Sequence, residues 1–312
     1  MLRRPPVLLA GGLGLLLLRR WQHLQGLRIL RVSRVVADLD RAEAFYRDGL
    51  GFHRTDAGPL DAGLVALMGL PGATAEQVVM RLGAQEIALV RFDPAGRPYP
   101  SGSRTNDLWF QHLAIVVSDM SAACLRLQPY ETVPISTRGP ETLPSRNGGV
   151  VAFKFRDPDG HPLELIHFPP GQGREIWQQP DGAGPFLGID HSALSVADTA
   201  RSLVFYRGLG FHVAGRSLNY GEPQSRMDGL PDARAHVTGL RPAADGGMGL
   251  ELLGYMPPGR PAPPTAVNAL ATDWVTLLAP GLRRRGMLLA DGRRAAVRRD
   301  PDGHVMLLVD RA

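Results

Sequence analysis

Two histidines and two glutamates stand at matching places in two neighbouring stretches of this chain. His112 and His191 occupy one slot of an apolar run that ends, at the same spacing, in Asp119 and Asp198. Glu164 and Glu251 occupy the second place of later runs, Leu163-Glu164-Leu165-Ile166 and Leu250-Glu251-Leu252-Leu253. A carboxylate inside an apolar strand is costly to bury unless it is paired or holds a metal. Two imidazoles and two carboxylates suit a divalent ion such as Zn²⁺, Ni²⁺, Co²⁺, Mn²⁺ or Fe²⁺, with positions left for water or a chelating substrate. One histidine on a strand is ordinarily a core or surface residue. Here, of 9 histidines, two fall in equivalent slots, each followed by a glutamate in the matching closing slot.

The slots belong to a four-fold repeat. The first slot reads Arg31, His112, His191 and Trp274, and the closing slot reads Ala88, Glu164, Glu251 and Leu307. The fourth copy lacks the aspartate. Phe45-Tyr46-Arg47 returns as Phe205-Tyr206-Arg207, and Gly96-Arg97-Pro98 as Gly259-Arg260-Pro261. Arg156-Asp157-Pro158-Asp159-Gly160-His161 returns as Arg299-Asp300-Pro301-Asp302-Gly303-His304. Such internal repetition precedes any choice of fold, and it points to two rounds of duplication. A residue fewer in Arg207-Gly208-Leu209-Gly210 than in Arg47-Asp48-Gly49-Leu50-Gly51 reads as a loop change.

Each quarter reads as a strand, a helix and three strands, an α+β pattern. In the first, Ile29 to Val36 is an apolar strand, Leu39 to Tyr46 has helical spacing, and Gly49 to Gly51 ends the helix. Asp-Pro-Asp-Gly supplies hairpin chemistry, with Pro fixing φ at the second position and Gly tolerating the backbone turn after it. Strand alternation puts Glu164, Ile166 and Phe168 on one face. His161 and His304, after the turns, are expected to face solvent, and His53 and His212 to enter strands.

Val36 to Arg47, the Asp157 to His161 turn and the Leu-Glu-Leu closing strands resemble the vicinal oxygen chelate superfamily, which includes glyoxalase I, extradiol dioxygenases and bleomycin-resistance proteins. The resemblance runs from about Leu27 to the C-terminus. It implies four βαβββ modules forming two half-barrel cups, with metal ligands on the first and last strands of each module. It also allows modules two and three to share one cup and one and four the other, as in a domain-swapped dimer made covalent, which is compatible with a monomer. The sequence favours that pairing, because one with two and three with four would leave half a set of buried ligands in each cup. His112, Glu164, His191 and Glu251 would then form one complete metal site, and Arg31, Ala88, Trp274 and Leu307 a dead one.

With such a site the resemblance implies a metal-dependent lyase or isomerase of the glyoxalase I kind, with Glu164 or Glu251 as mobile base beside a metal-polarised carbonyl. An extradiol-type ring-cleaving dioxygenase and a non-catalytic drug-binding protein are the alternatives. Extradiol enzymes draw their ligands from modules three and four, and Trp274 and Leu307 argue against that placement. The partner expected is a small molecule. Asn106 and Trp109, ahead of His112, and Asn219 and Tyr220, after the second strand of module three, are its candidate contacts. No glutathione signature stands out.

Composition limits the rest. A net charge of +5 rests almost wholly on scattered arginines, Lys154 being the sole lysine, and no aromatic-basic groove points to nucleic acid. Cys124 is alone, which excludes an internal disulfide. Residues 1–26 form an apolar and basic segment. Its run over residues 7–18 is short for a membrane span, matches a signal core in length, and lacks a small-x-small cleavage site. Cytoplasmic residence is the expectation, with export or membrane anchoring through residues 7–18 as the alternative. The expected domains are 27–168 (modules one and two) and 187–312 (modules three and four), with a Gly, Pro and Gln-rich linker at 169–186.

Overall fold

The computed structural model describes residues 26–178, 184–242, 247–263, 266–280, 282 and 286–310. The first quarter contains β1 (Arg28–Val35), α1 (Leu39–Ala44), β2 (His53–Pro59), α2 (Ala62–Leu67), β3 (Thr74–Leu82) and β4 (Gln85–Asp93). The second contains β5 (Gln111–Val117), α3 (Met120–Leu127), β6 (Val133–Pro134), β7 (Glu141–Thr142), β8 (Val151–Arg156) and β9 (Pro162–His167). The third contains β10 (Phe186–Ser195), α4 (Thr199–Leu209), β11 (Phe211–Tyr220), α5 (Glu222–Asp228), β12 (Arg234–Pro242) and β13 (Gly249–Tyr255). The fourth contains β14 (Asp273–Leu278), β15 (Met287–Leu288), β16 (Arg294–Arg299) and β17 (Val305–Val309).

The repeated aspartates explain the first helices. Asp38, Asp119 and Asp198 each take an extended conformation and accept a hydrogen bond from a first-turn backbone N–H. The fourth copy, without that cap, shows no α-helix between β14 and β15 among the described residues. The length difference between the first and third copies falls in the helix and not in a loop. The helix α1 continues into a π-helical turn over Phe45–Gly49, whereas α4 stays regular to Leu209 and ends on Gly210 at φ 104°. One inserted residue has widened a turn.

Pairing across the repeat follows one rule. The closing strand lies parallel to the opening strand in every quarter, with Ser33 opposite Ala88, Ala114 opposite Glu164, Ala193 opposite Glu251 and Thr276 opposite Leu307. Quarters then join in antiparallel seams, β1 to β14 and β5 to β10. One sheet runs β15-β16-β17-β14-β1-β4-β3-β2, and the other β11-β12-β13-β10-β5-β9-β8-β6 with β7 beside β8. Quarters one and four make the first sheet, and two and three the second, so each sequence half contributes to both sheets.

The backs of the sheets share one core with the helices, including Val32, Ile87, Leu89, Leu113, Ile115, Leu163, Leu194 and Leu250 with Phe45 and Tyr46. Each such side chain contributes roughly 1.5–3 kcal/mol on burial. Two polar clasps tie the sheets together. Tyr46 Oη donates to Asp157 Oδ2 at 2.9 Å, and Tyr206 Oη donates to Asp300 Oδ2 at 3.0 Å. The other oxygen of each aspartate accepts two backbone N–H groups of its own turn.

His161 and His304 therefore do not face solvent. They are 1% and 7% exposed, with Nε2 at 2.7 Å from Val35 O and 2.9 Å from Ser195 O. Local turn chemistry reads as exposed, but here both turns dock on a strand of the opposite sheet. His53 and His212 do lie exposed at strand starts. No helix among the described residues is long and apolar enough to cross a membrane. The segment over residues 7–18 lies outside the described residues.

Candidate metal centre

A β-bulge aims the third-quarter histidine. Ile189 and Leu194 of β10 both pack in the core between the sheets, which strict alternation forbids, and the irregularity between Ile189 and His191 resolves the conflict. It leaves His191 and Ala193 on the concave face. The same bulge recurs between Ile29 and Arg31 in the first copy. On β5, alternation alone places His112 with Ala114 and Val116 on the concave face, opposite Leu113 and Ile115.

On that face His112 Nε2 lies 2.8 Å from Glu164 Oε2, and His191 Nε2 lies 3.3 Å from Glu251 Oε2. One ligand atom each from His112, Glu164 and His191 lies within 4.8 Å of the others, and all three residues are buried. Glu251 joins through His191 and stands outside that tight group. Its side chain keeps 29% of its surface open, against 8% for Glu164. The three-residue cluster fits a divalent ion. Nδ1 of buried His112 has no hydrogen-bond partner among the described residues, and Nε2 faces only the carboxylate of Glu164, itself a candidate ligand. Behind His191, Nδ1 lies 3.0 Å from Asp190 Oδ2, and Asp190 Oδ1 accepts from Trp177 Nε1 at 2.8 Å. A carboxylate behind an imidazole fixes the ring and turns Nε2 toward the centre.

Protonation preferences separate the four groups. Burial drives the His112 ring down to about 4, so it is neutral. Burial also opposes charge on His191, but Glu251 and Asp190 overcome it and lift the ring to about 9. Glu164 is lowered to about 2, because Lys154 and His112 outweigh its burial. Glu251 moves the other way, raised by the protein packed around it and by Asp190 and Glu164.

The centre opens on a cavity of about 320 Å³ whose wall includes Leu143, Val150, Ile166, Met227, Val237 and Leu253. Asn219 lines it, and its Oδ1 accepts from Asn147 Nδ2 at 2.6 Å. The other three candidate contacts stand elsewhere. Tyr220 is 39% exposed, stacked 4.2 Å under the Arg146 guanidinium. Asn106 gives its carbonyl to Gly259 N at 2.8 Å, and Trp109 Nε1 donates to Ser103 Oγ at 2.9 Å. The Asn106 contact accounts for a repeated glycine, since a Cβ on Gly259 would sit 2.5 Å from that carbonyl.

Asp190 and Lys154 are charged residues of the candidate centre that slot-matching passes over. Asp190 adjoins His191 in sequence, and Lys154 stands on the same strand face as buried Ala152, so a charged residue at a core position was the available signal. In the other sheet Ala88, Trp274 and Leu307 pack in one apolar cluster with Leu64, Val65 and Met68, and offer no ligand set.

Residues 28–165 match the Glyoxalase/Bleomycin resistance protein/Dioxygenase superfamily. That stretch carries the sequence pattern of this superfamily. The vicinal oxygen chelate fold extends over the whole described chain, as two similar solved structures show. Glyoxalase I from Zea mays is 21% identical, with a TM-score of 0.57, over 91% of this chain and 92% of that one. A single-substitution mutant of Zea mays glyoxalase I is 21% identical, with a TM-score of 0.61, over 95% of this chain and 96% of that one. No protein of curated function matches the sequence.

Proposed function

We propose that this vicinal oxygen chelate protein is a metal-dependent lyase or isomerase that moves a proton next to a carbonyl of a small molecule. His112, Glu164 and His191 would hold the divalent ion, with Glu251 adjoining. A bound ion supplies a Lewis acid for the carbonyl oxygen, which stabilises the charge that develops when the neighbouring C–H is deprotonated.

The observation that carries this reading is the inequality of the two glutamates. Glu164 is enclosed between His112 and Lys154 and stays ionised. Glu251 has one close partner among the described residues, His191, an open flank, and a raised proton affinity. A general base needs reach and a proton affinity near the working pH, so Glu251 moves the proton and Glu164 holds the ion. Arg146 and Asn147, which line the cavity, are tied to Tyr220 O and Asn219 Oδ1.

The test is metal analysis of purified protein, followed by deuterium exchange at the carbon next to the carbonyl of 2-hydroxycarbonyl compounds. Glu251→Gln should abolish exchange while retaining the ion, and Glu164→Gln should lose the ion first. Full exchange in both variants, or protein that takes up no divalent ion, rules the reading out. Oxygen consumption with catechols by the iron-loaded protein would point to ring cleavage instead.

A further inference from the structure

Lys154, the only lysine of the chain, lies in the wall of the metal-centre cavity with 3% of its side chain exposed. It occupies a third equivalent slot of the repeat, the cross-strand neighbour of the closing slot. That slot reads Val79 opposite Ala88, Lys154 opposite Glu164, Gly239 opposite Glu251 and Val297 opposite Leu307. Both copies in the dead sheet are valine. In the ligand-bearing sheet one copy carries an ammonium and the other no side chain.

An ammonium at a buried strand position is costly unless its donors are satisfied. Asp228 of α5 takes one, with Nζ 2.7 Å from Oδ1, and the second Asp228 oxygen accepts from Gln224 Nε2 at 2.7 Å. Glu164 Oε2 is 3.8 Å from Nζ, beyond hydrogen-bond reach. An ammonium has three donors. Among the described residues one is bonded, so two remain without a protein acceptor in a wall that faces the cavity.

We propose that Lys154 anchors a carboxylate of the substrate, so that the site takes small 2-oxo or 2-hydroxy acids with an apolar side chain in preference to neutral carbonyl compounds. This rests on the reading of the centre given above. Glu164 Oε2 belongs to the ligand group and also neighbours Nζ, so oxygens on adjacent carbons of one molecule reach both the ion position and the ammonium. The acid group then lies beside Lys154, and the 2-oxygen at the centre. In a 2-oxo acid the carbonyl then lies at the centre and the C–H of the third carbon falls on the side of Glu251, whose cross-strand neighbour Gly239 carries no side chain; a 2-hydroxy acid binds in the same pose. The aliphatic wall receives the remainder of the molecule.

The test uses the full chain and matched pairs of an acid and its amide: glycolate and glycolamide, lactate and lactamide, mandelate and mandelamide. Affinities are measured by calorimetry with and without Co²⁺, whose uptake is followed by its visible absorption. The acid of at least one pair should bind about tenfold to a hundredfold tighter than its amide. Lys154→Met combined with Asp228→Asn removes the charge pair together and leaves no lone buried carboxylate. In it the acid should fall to the affinity of the amide while the amide is unchanged. Equal affinity of acid and amide in the wild type, no binding by any acid, or a preference that survives in the double variant overturns the proposal. A parallel fall of acid and amide assigns Lys154 a structural role and overturns it too. Absence of Co²⁺ uptake refutes the metal reading, while the acid and amide comparison on ion-free protein still decides the role of Lys154.

Discussion

The sheet of quarters one and four and the sheet of quarters two and three share a strand order and a register, and differ in what fills their concave faces. In the first, Trp274 and Leu307 meet Leu64, Val65 and Met68 in a packed cluster. In the second, His112, Glu164, His191 and Glu251 line a cavity. The covering helices differ in step: Leu64 and Met68 lie on or just after α2, and their counterparts in the repeat, Gln224 and Asp228, lie on α5. Those two polar residues bind each other, and Asp228 holds Lys154. A backbone repeat thus supplies equivalent positions, and three or four side chains decide whether a face is packed or lines a polar cavity.

That contrast can be broken in order of size. Trp274→Ala removes the largest side chain of the packed face and should cost about 3–5 kcal/mol in urea unfolding. Ion uptake by the second sheet should stay unchanged wherever the variant is folded, and a loss there would show that the two faces are coupled. Asp190→Asn, which leaves His191 without its backing carboxylate, should weaken divalent ion affinity roughly 10–100-fold in a competition titration. Gly239→Val installs the residue of the packed sheet beside Glu251. A Cβ there meets nothing nearer than 3.8 Å, so the variant should fold. Its proton-exchange rate should drop roughly tenfold, about 1.4 kcal/mol of barrier, with the ion retained.

The smallest expected effect lies in the clasp between the sheets. Burial opposes charge on His161, but Asp273 at 3.0 Å from Nδ1, together with Asp157, raises its proton affinity. Folding is then favoured fully below the ordinary histidine value, about 6.5, and that part of the stability is lost as pH rises through the raised folded-state value. His161→Gln should flatten the decline in stability as pH rises above about 6.5, read as the slope of unfolding free energy against pH in urea unfolding. An unchanged slope would remove His161 from the account.

Much of the site was legible because strand alternation and repetition are local. Matching slots located His112, His191, Glu164 and Glu251, and the observed register puts all four closing slots in one relation to the opening strands. Lys154 and Asp190 were missed because each acts through a partner on another element or on the neighbouring residue's far side, which slot-matching does not weigh. Asn106 and Trp109 precede His112 in the chain, yet hydrogen bonding to Gly259 and Ser103 directs them into the crossover between quarters. The buried His161 and His304 were misread for a related reason: a turn motif specifies its own hydrogen bonds but not what packs over it.

By itself the sequence determined the fourfold repeat, the strand–helix–strand start of its first three copies with the caps that begin their helices, and the faces on which the candidate ligands stand, since each depends on spacing over a few residues. The sequence also favoured the pairing of quarter two with three and one with four, which the sheet order bears out. Tertiary structure decided that one concave face is plugged and the other open, and that Glu164 is enclosed while Glu251 keeps an open flank. Those outcomes depend on contacts between segments far apart in the chain, where packing and charge pairing, not local periodicity, select the arrangement.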